Sequence, residues 1–152
     1  MSADVISKDL KAVLRRLKLS PMLDTLSERV ALARQQKMPH QDFLLLVLSD
    51  EASRRDSIAA ITRAQRGRLD PHARIENWDE TANVSFDRDL LNELVSLRFL
   101  EQHYHVAIVG HVGVGKTFLA HALGHIACRH GHSVLAWRAD RMLKTLKHAR
   151  LT

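Results

Sequence analysis

Eight consecutive residues, Gly110-His111-Val112-Gly113-Val114-Gly115-Lys116-Thr117, satisfy the pattern G-x-x-x-x-G-K-[ST] in register. Glycines at 110, 113 and 115 let the backbone turn so that successive N–H groups point inward, a concavity suited to phosphate oxygens. A helix starting at the lysine adds the positive end of its dipole. In that arrangement Lys116 reaches the β- and γ-phosphates and offsets charge as the terminal phosphoryl group departs, which makes it the candidate catalytic residue. The Thr117 hydroxyl is placed to bind Mg²⁺ together with the nucleotide. The expected ligand is therefore ATP or a closely related nucleoside triphosphate with Mg²⁺, and His111, Val112 and Val114 complete the loop.

Other reactive side chains form weaker patterns. His121 and His125 are four residues apart on one helix, but Ala122 stands where a zinc-protease motif requires Glu and no third ligand is visible. They read as surface or core histidines. Trp78 and Trp137 read as packing residues, although an aromatic near a nucleotide can also contact adenine. Cys128 is the only cysteine, which excludes an internal disulfide and a CxxC site, and it reads as buried and inert.

The loop needs a strand before it and a helix after it. His105-Val106-Ala107-Ile108-Val109 is a short, largely β-branched run ending at a glycine, and predicts a buried parallel strand. Leu119, Ala122, Leu123 and Ile126 mark the apolar face of the following helix, with Gly131 as its stop. Ser133-Val134-Leu135-Ala136-Trp137 predicts a second strand, and Met142, Leu143 and Leu146 begin a last helix. Upstream, Asp87 can cap a helix carrying Leu90, Leu91, Leu94 and Leu97. The first part of the chain is helical. Leu10, Val13, Leu14 and Leu17 mark one helix, Ser20-Pro21 starts another, and a long one runs from about Gln41 to Arg66 with Gly67 as its stop. The expected fold class is α/β: an all-helical module over residues 1–67, a linker over 68–86, and over 87–152 the incomplete first part of a parallel-sheet P-loop domain.

The 152 residues are 45% apolar and 26% charged, values of a globular chain. The longest apolar run, Phe43 to Leu48, is far short of the ~20 residues a membrane span needs. No secretory signal is visible, and the expected location is the cytoplasm. The net charge of +6 is uneven: residues 1–100 carry 16 Lys and Arg against 15 Asp and Glu, whereas residues 101–152 carry 7 against 2. One basic cluster is Arg54, Arg55, Arg63, Arg66, Arg68 and Arg74; the other is Arg138, Arg141, Lys144, Lys147 and Arg150. Such clusters suit a polyanion, because neutralising phosphates releases counterions. On charge alone they suit a solvated helix face equally well.

The stretch Ala73 to Thr152, from ARIENWDE through AIVGHVGVGKTFLAHALGHIACRHGHSVLAWRADRML, resembles the IstB-like transposition helper ATPases. These are AAA+ proteins of bacterial insertion sequences, related to DnaC helicase loaders. LKLSPMLDTLSERV and QDFLLLVLSDEASRR resemble that family's helical N-terminal domain, so the likeness covers nearly the whole chain. It implies an ATP-regulated protein that assembles as a homo-oligomer on double-stranded DNA and stimulates a partner transposase. On that reading Arg54, Arg55, Arg63, Arg66, Arg68, Arg141, Lys144 and Lys147 become DNA-contact candidates. His111 stands where the family commonly has proline, and Phe118 where histidine usually follows the Lys-Thr pair. The family continues into an acidic Walker B strand and an arginine finger, and beyond Glu101 this chain has only Asp140 as an acidic residue. The chain resembles a C-terminally truncated helper, for which slow hydrolysis is expected. A non-hydrolysing DNA-binding or assembly fragment and a helicase loader are the alternatives.

Overall fold

The computed structural model describes residues 6–78 and 85–149. Arg150 of the C-terminal basic cluster, part of the expected linker (79–84) and the last residues of the chain lie outside them. Seven α-helices are present among the described residues: α1 (Lys8–Arg16), α2 (Leu23–Gln35), α3 (His40–Arg66), α4 (Arg88–Val95), α5 (Arg98–Glu101), α6 (Lys116–Arg129) and α7 (Ala139–Ala149). Two single 3₁₀ turns, Ser20–Met22 and Ile75–Asn77, precede α2 and α4 respectively.

The chain divides into two compact units, Met1–Ser57 and Ile58–Thr152, so α3 contributes to both. In the first unit Leu14 of α1, Met22, Leu26 of α2 and Val47 of α3 form a core with Ile6, and Leu19, Leu23, Val30 and Phe43 pack around it. Ser7 caps α1 by accepting the Leu10 N–H. Glu51 is buried and accepts both Arg54 (2.7 and 2.8 Å) and Arg55 (2.7 Å) one turn further along α3. Hydrogen bonding from Arg54, reinforced by Arg55, holds its carboxyl down at about 2.

In the second unit Leu97, Leu123, Ile126 and Ala127 form the main core, with Ile75, Leu94, Phe99 and Leu119 packed on it. A smaller cluster joins Ala64 of α3, Leu69 and Cys128. Asp87 caps α4 as expected, accepting from the Asp89 and Leu90 N–H groups. At the end of α6 Gly131 has φ 91°, and the bonds His132 N–H to Ala127 O (3.0 Å) and Gly131 N–H to Cys128 O (3.2 Å) close a Schellman motif. Gly67 has a different role. The left-handed residue after α3 is Arg68 (φ 58°), while a Cβ on Gly67 would lie 2.4 Å from the Val134 carbonyl oxygen. Glycine at 67 is required by that close approach.

The α/β expectation is overturned: there is no strand among the described residues, and hence no parallel sheet. β-Branched side chains favour extended backbone, but a strand exists only when its N–H and C=O groups pair with a neighbour. Residues 105–109 and 133–137 do not pair with each other. They line a shared cavity of about 790 Å³, with Val106 and Ile108 on its wall together with Val134 and Ala136. The Ala136 N–H instead donates to Gly67 O at 2.8 Å, and Val109 is 91% exposed. The chain is helical in both units.

Candidate functional site

The loop that opens α6 is built by its glycines. Gly113 (φ 88°) and Gly115 (φ 86°) are left-handed, and a Cβ on either would meet nothing within 4 Å, so conformation and not crowding is what selects glycine there. Gly115 is the N-cap of α6. It provides no side-chain bond, and no acidic residue follows in the first turn. The first N–H groups of a helix lack intrahelical partners, so this end presents donors and the positive dipole end without a competing carboxylate.

Lys116 begins the helix and folds back over the loop. Its ammonium donates to Gly110 O at 2.9 Å and to His111 O. The ammonium is thus held directly above the loop backbone, and its contacts there are neutral carbonyls that an anionic phosphate can outcompete. Thr117 is exposed one residue further on. Among the described residues no group of three or more His, Cys, Asp or Glu could hold a metal ion, so Mg²⁺ fits here only when phosphate oxygens supply most of its ligands. The remaining loop residues, His111 and Val112, are exposed and Val114 is half-buried.

The 790 Å³ cavity opens beside this turn, within the usual range of about 300–1,000 Å³ for ligand clefts. Lys116, Thr117 and His121 of α6 line it with Arg68, Trp137 and Arg141. The Arg68 guanidinium carbon lies 5.9 Å from the centre of the Trp137 ring, a cation–π contact. The two histidines of α6 do not form a metal site. His121 Nδ1 accepts the Asp70 N–H at 2.9 Å, and His125 Nε2 donates to the Asp70 carbonyl at 2.8 Å. Because an N–H can only donate and a carbonyl only accept, these bonds fix one tautomer on each ring. Together they pin the segment after Arg68 to α6. Burial pushes the Cys128 thiol up, and Arg63 partly offsets this.

The DNA-contact candidates separate once their partners are known. Arg54 and Arg55 are engaged by Glu51, and Arg55 also donates to Lys18 O at 3.3 Å. Arg63 donates to the Cys128 carbonyl at 3.0 Å, near the C-terminal end of α6, and Arg68 sits on Trp137. Arg66 is exposed. Arg141, Lys144 and Lys147 are exposed on α7, where Met142, Leu143 and Leu146 fill a separate apolar arc, and Arg138 just before it pairs with Asp140 at 3.2 Å.

An aromatic cluster beside the loop was not anticipated from the sequence. Trp78 meets Phe86 at a ring-centre distance of 5.3 Å and 71°, and Phe118 at 5.9 Å and 66°. Phe118 follows Thr117 directly. The signal that could have found it was an aromatic residue immediately after the Lys-Thr pair.

A glycine loop turning into a helix that begins Lys-Thr is the arrangement that phosphate-loop proteins share. The family described as IstB-like ATP binding protein matches residues 12–151, and this chain belongs to it. The chain is 41% identical over 137 residues to a Mycobacterium tuberculosis protein named as ATP-binding and carried in an insertion sequence, covering 90% of this chain and 55% of that one. A Sinorhizobium fredii protein named as an insertion-sequence ATP-binding protein is 34% identical over 91% of this chain and 56% of its own length. A similarly named Pseudomonas aeruginosa protein is 32% identical over 93% of this chain and 54% of its own. The chain spans about half the length of the curated relatives it matches. Among the described residues no helix is long and apolar enough to cross a membrane.

Proposed function

We propose that this chain binds ATP with Mg²⁺ through Gly110–Thr117 and serves, as part of an insertion-sequence helper protein, to assist a partner transposase on double-stranded DNA. The observation that carries the reading is the loop itself. Left-handed glycines at 113 and 115, an uncapped helix start and the Lys116 ammonium converge on one turn, beside a cavity that Arg68, Arg138 and Arg141 also line. The family and the names of the relatives support the nucleotide and the insertion-sequence context. On this reading loop N–H groups hold the phosphates, Lys116 leaves Gly110 O and His111 O for phosphate oxygens, and Thr117 binds the Mg²⁺ that arrives with the nucleotide. DNA contact falls to Arg66 and the α7 cations, since the other arginines of α3 have partners within the protein. Assembly into a homo-oligomer belongs to the same proposal.

The test is Lys116→Ala. A charge-assisted hydrogen bond is worth roughly 1.5–3 kcal/mol, so affinity for a fluorescent ATP analogue should fall about 10- to 150-fold while the helical circular dichroism is unchanged. Equal affinity in both proteins would remove the site assignment.

A further inference from the structure

The loop accounts for phosphates but not for a base. Lys116, Thr117, Ala120 and His121 give the cavity-facing side of α6, and the rest of the cavity wall is mostly aliphatic, with the three arginines Arg68, Arg138 and Arg141 and a single aromatic ring, Trp137. Phe118 lies about 100° further round the helix than Thr117 and meets Trp78 instead. Trp78 is itself firmly placed. It follows the 3₁₀ turn Ile75–Asn77, in which Ile75 packs on the main core of this unit and Glu76 pairs with Arg129 of α6. The Asn77 side chain also donates to His72 O at 2.9 Å. The Trp78 N–H closes the turn on Ile75 O at 3.1 Å. Both ring pairs in the trio are edge-on, so no ring lies flat on another, and Phe86 is 40% exposed. A flat heterocycle can stack on such a surface, as bases do on aromatic side chains. Trp137, the other tryptophan, already has a guanidinium near its ring.

We infer that Trp78, Phe86 and Phe118 form the base-binding platform of the nucleotide site, taking the purine ring of the nucleotide whose phosphates lie on the adjoining loop. This rests on the reading of Gly110–Thr117 as the phosphate site, and it assigns specificity for a nucleoside triphosphate over a bare polyphosphate to three named side chains. Phe118 joins the two parts, because it is the next residue after the one that faces Mg²⁺.

The experiment uses the full chain with two ligands, Mg·ATP and Mg·tripolyphosphate, the latter having the phosphates without a base. Two single-tryptophan proteins, Trp137→Phe and Trp78→Phe, report the two sides of the loop separately. Saturable change in Trp78 emission with ATP, but not with tripolyphosphate, is the expected result. By calorimetry, Phe118→Ala should bind ATP roughly 5- to 150-fold more weakly, the range for loss of one base-stacking contact. Its affinity for tripolyphosphate should be unchanged, which shows that the loop is still folded. Phe118→Leu keeps the bulk but not the ring, and should fall between the two. Tripolyphosphate binding as tightly as ATP, or a response confined to Trp137, overturns the platform and leaves the phosphate loop intact. Binding of neither ligand overturns the loop assignment and the platform with it.

Discussion

Gly67→Ala isolates the contact that fixes residues 133–137 in place. A Cβ at 67 would stand 2.4 Å from the Val134 carbonyl oxygen, 3.1 Å from its carbon and 3.2 Å from Arg63 O. All three are backbone atoms, so no side chain can rotate away and one segment must shift by close to an ångström. That shift also strains the Ala136 N–H bond to Gly67 O, now 2.8 Å. Overpacking costs about 1–3 kcal/mol, and the smaller unfolded-state entropy of alanine offsets roughly 0.4–1 kcal/mol of it. The net loss should be near 1–2 kcal/mol, which for a unit of this size lowers Tm by about 4–16 °C. Trp78 and Trp137 both lie in Ile58–Thr152, so tryptophan fluorescence on heating reports that unit and not the other. Gly124→Ala is the control. Its Cβ would meet Leu69 methyls at 2.9 and 3.1 Å, the ends of a flexible side chain, and alanine gains roughly 0.8–1.0 kcal/mol of helix propensity. Gly124→Ala should be close to neutral. Equal midpoints for Gly67→Ala and wild type, or equal losses at 67 and 124, would refute the reasoning.

Two further outcomes are expected besides those tied to the nucleotide site. Glu51 titrates at about 2 in the folded chain against 4.5 ordinarily, so its contribution to stability is complete above about pH 4.5 and disappears as pH falls toward 2. Urea midpoints of wild type and Glu51→Gln, followed by circular dichroism, should differ at pH 7 and converge across that window; a gap that persists at pH 2 would exclude the ion pair as its source. For DNA, changing Arg141, Lys144 and Lys147 together to Ala should reduce the slope of log affinity against log salt by up to about three phosphate contacts, read by fluorescence anisotropy. An unchanged slope would take DNA contact away from α7.

Legibility followed the range of the signal. The glycine turn that opens α6, the bounds of α3, the Asp87 cap and the Gly131 stop are encoded within a few residues and are readable. Other helix ends are not, because their left-handed residues are not glycine. Lys18 (φ 59°), Lys37 (φ 48°) and His103 (φ 57°) follow α1, α2 and α5. Each is followed by a bond of Schellman type, such as Leu19 N–H to Leu14 O at 2.8 Å and Tyr104 N–H to Phe99 O at 2.8 Å. Backbone bonding there compensates a left-handed cost that sequence rules reserve for glycine and asparagine. The strands failed for the opposite reason. Extended propensity at 105–109 and 133–137 is local, but pairing is not, and nothing in either run states what lies beside it. The Asp70 clamp by His121 and His125 likewise spans about fifty residues of sequence and leaves no local pattern.

The arginines between positions 54 and 68 show how such non-local facts alter a functional argument. In the sequence Arg54, Arg55, Arg63, Arg66 and Arg68 form one cluster, and counting charges gives each the same claim on a polyanion. Folding assigns them separate tasks. Two neutralise a buried glutamate that would be costly to leave unpaired, one holds the last turn of α6, and one rests on Trp137. A cation already bonded must exchange one partner for another when it meets a phosphate, whereas an exposed one only sheds water and counterions. The α7 residues Arg141, Lys144 and Lys147 are of the second kind, and they also share one helix face. The sequence distance between the two clusters hides one further relation, because Arg68 and Arg141 line the same cavity as Lys116. Charge near the Gly110–Thr117 loop is therefore supplied from both clusters, and on the proposed function a substitution at Arg68 should be judged first by its effect on nucleotide and only then by its effect on DNA.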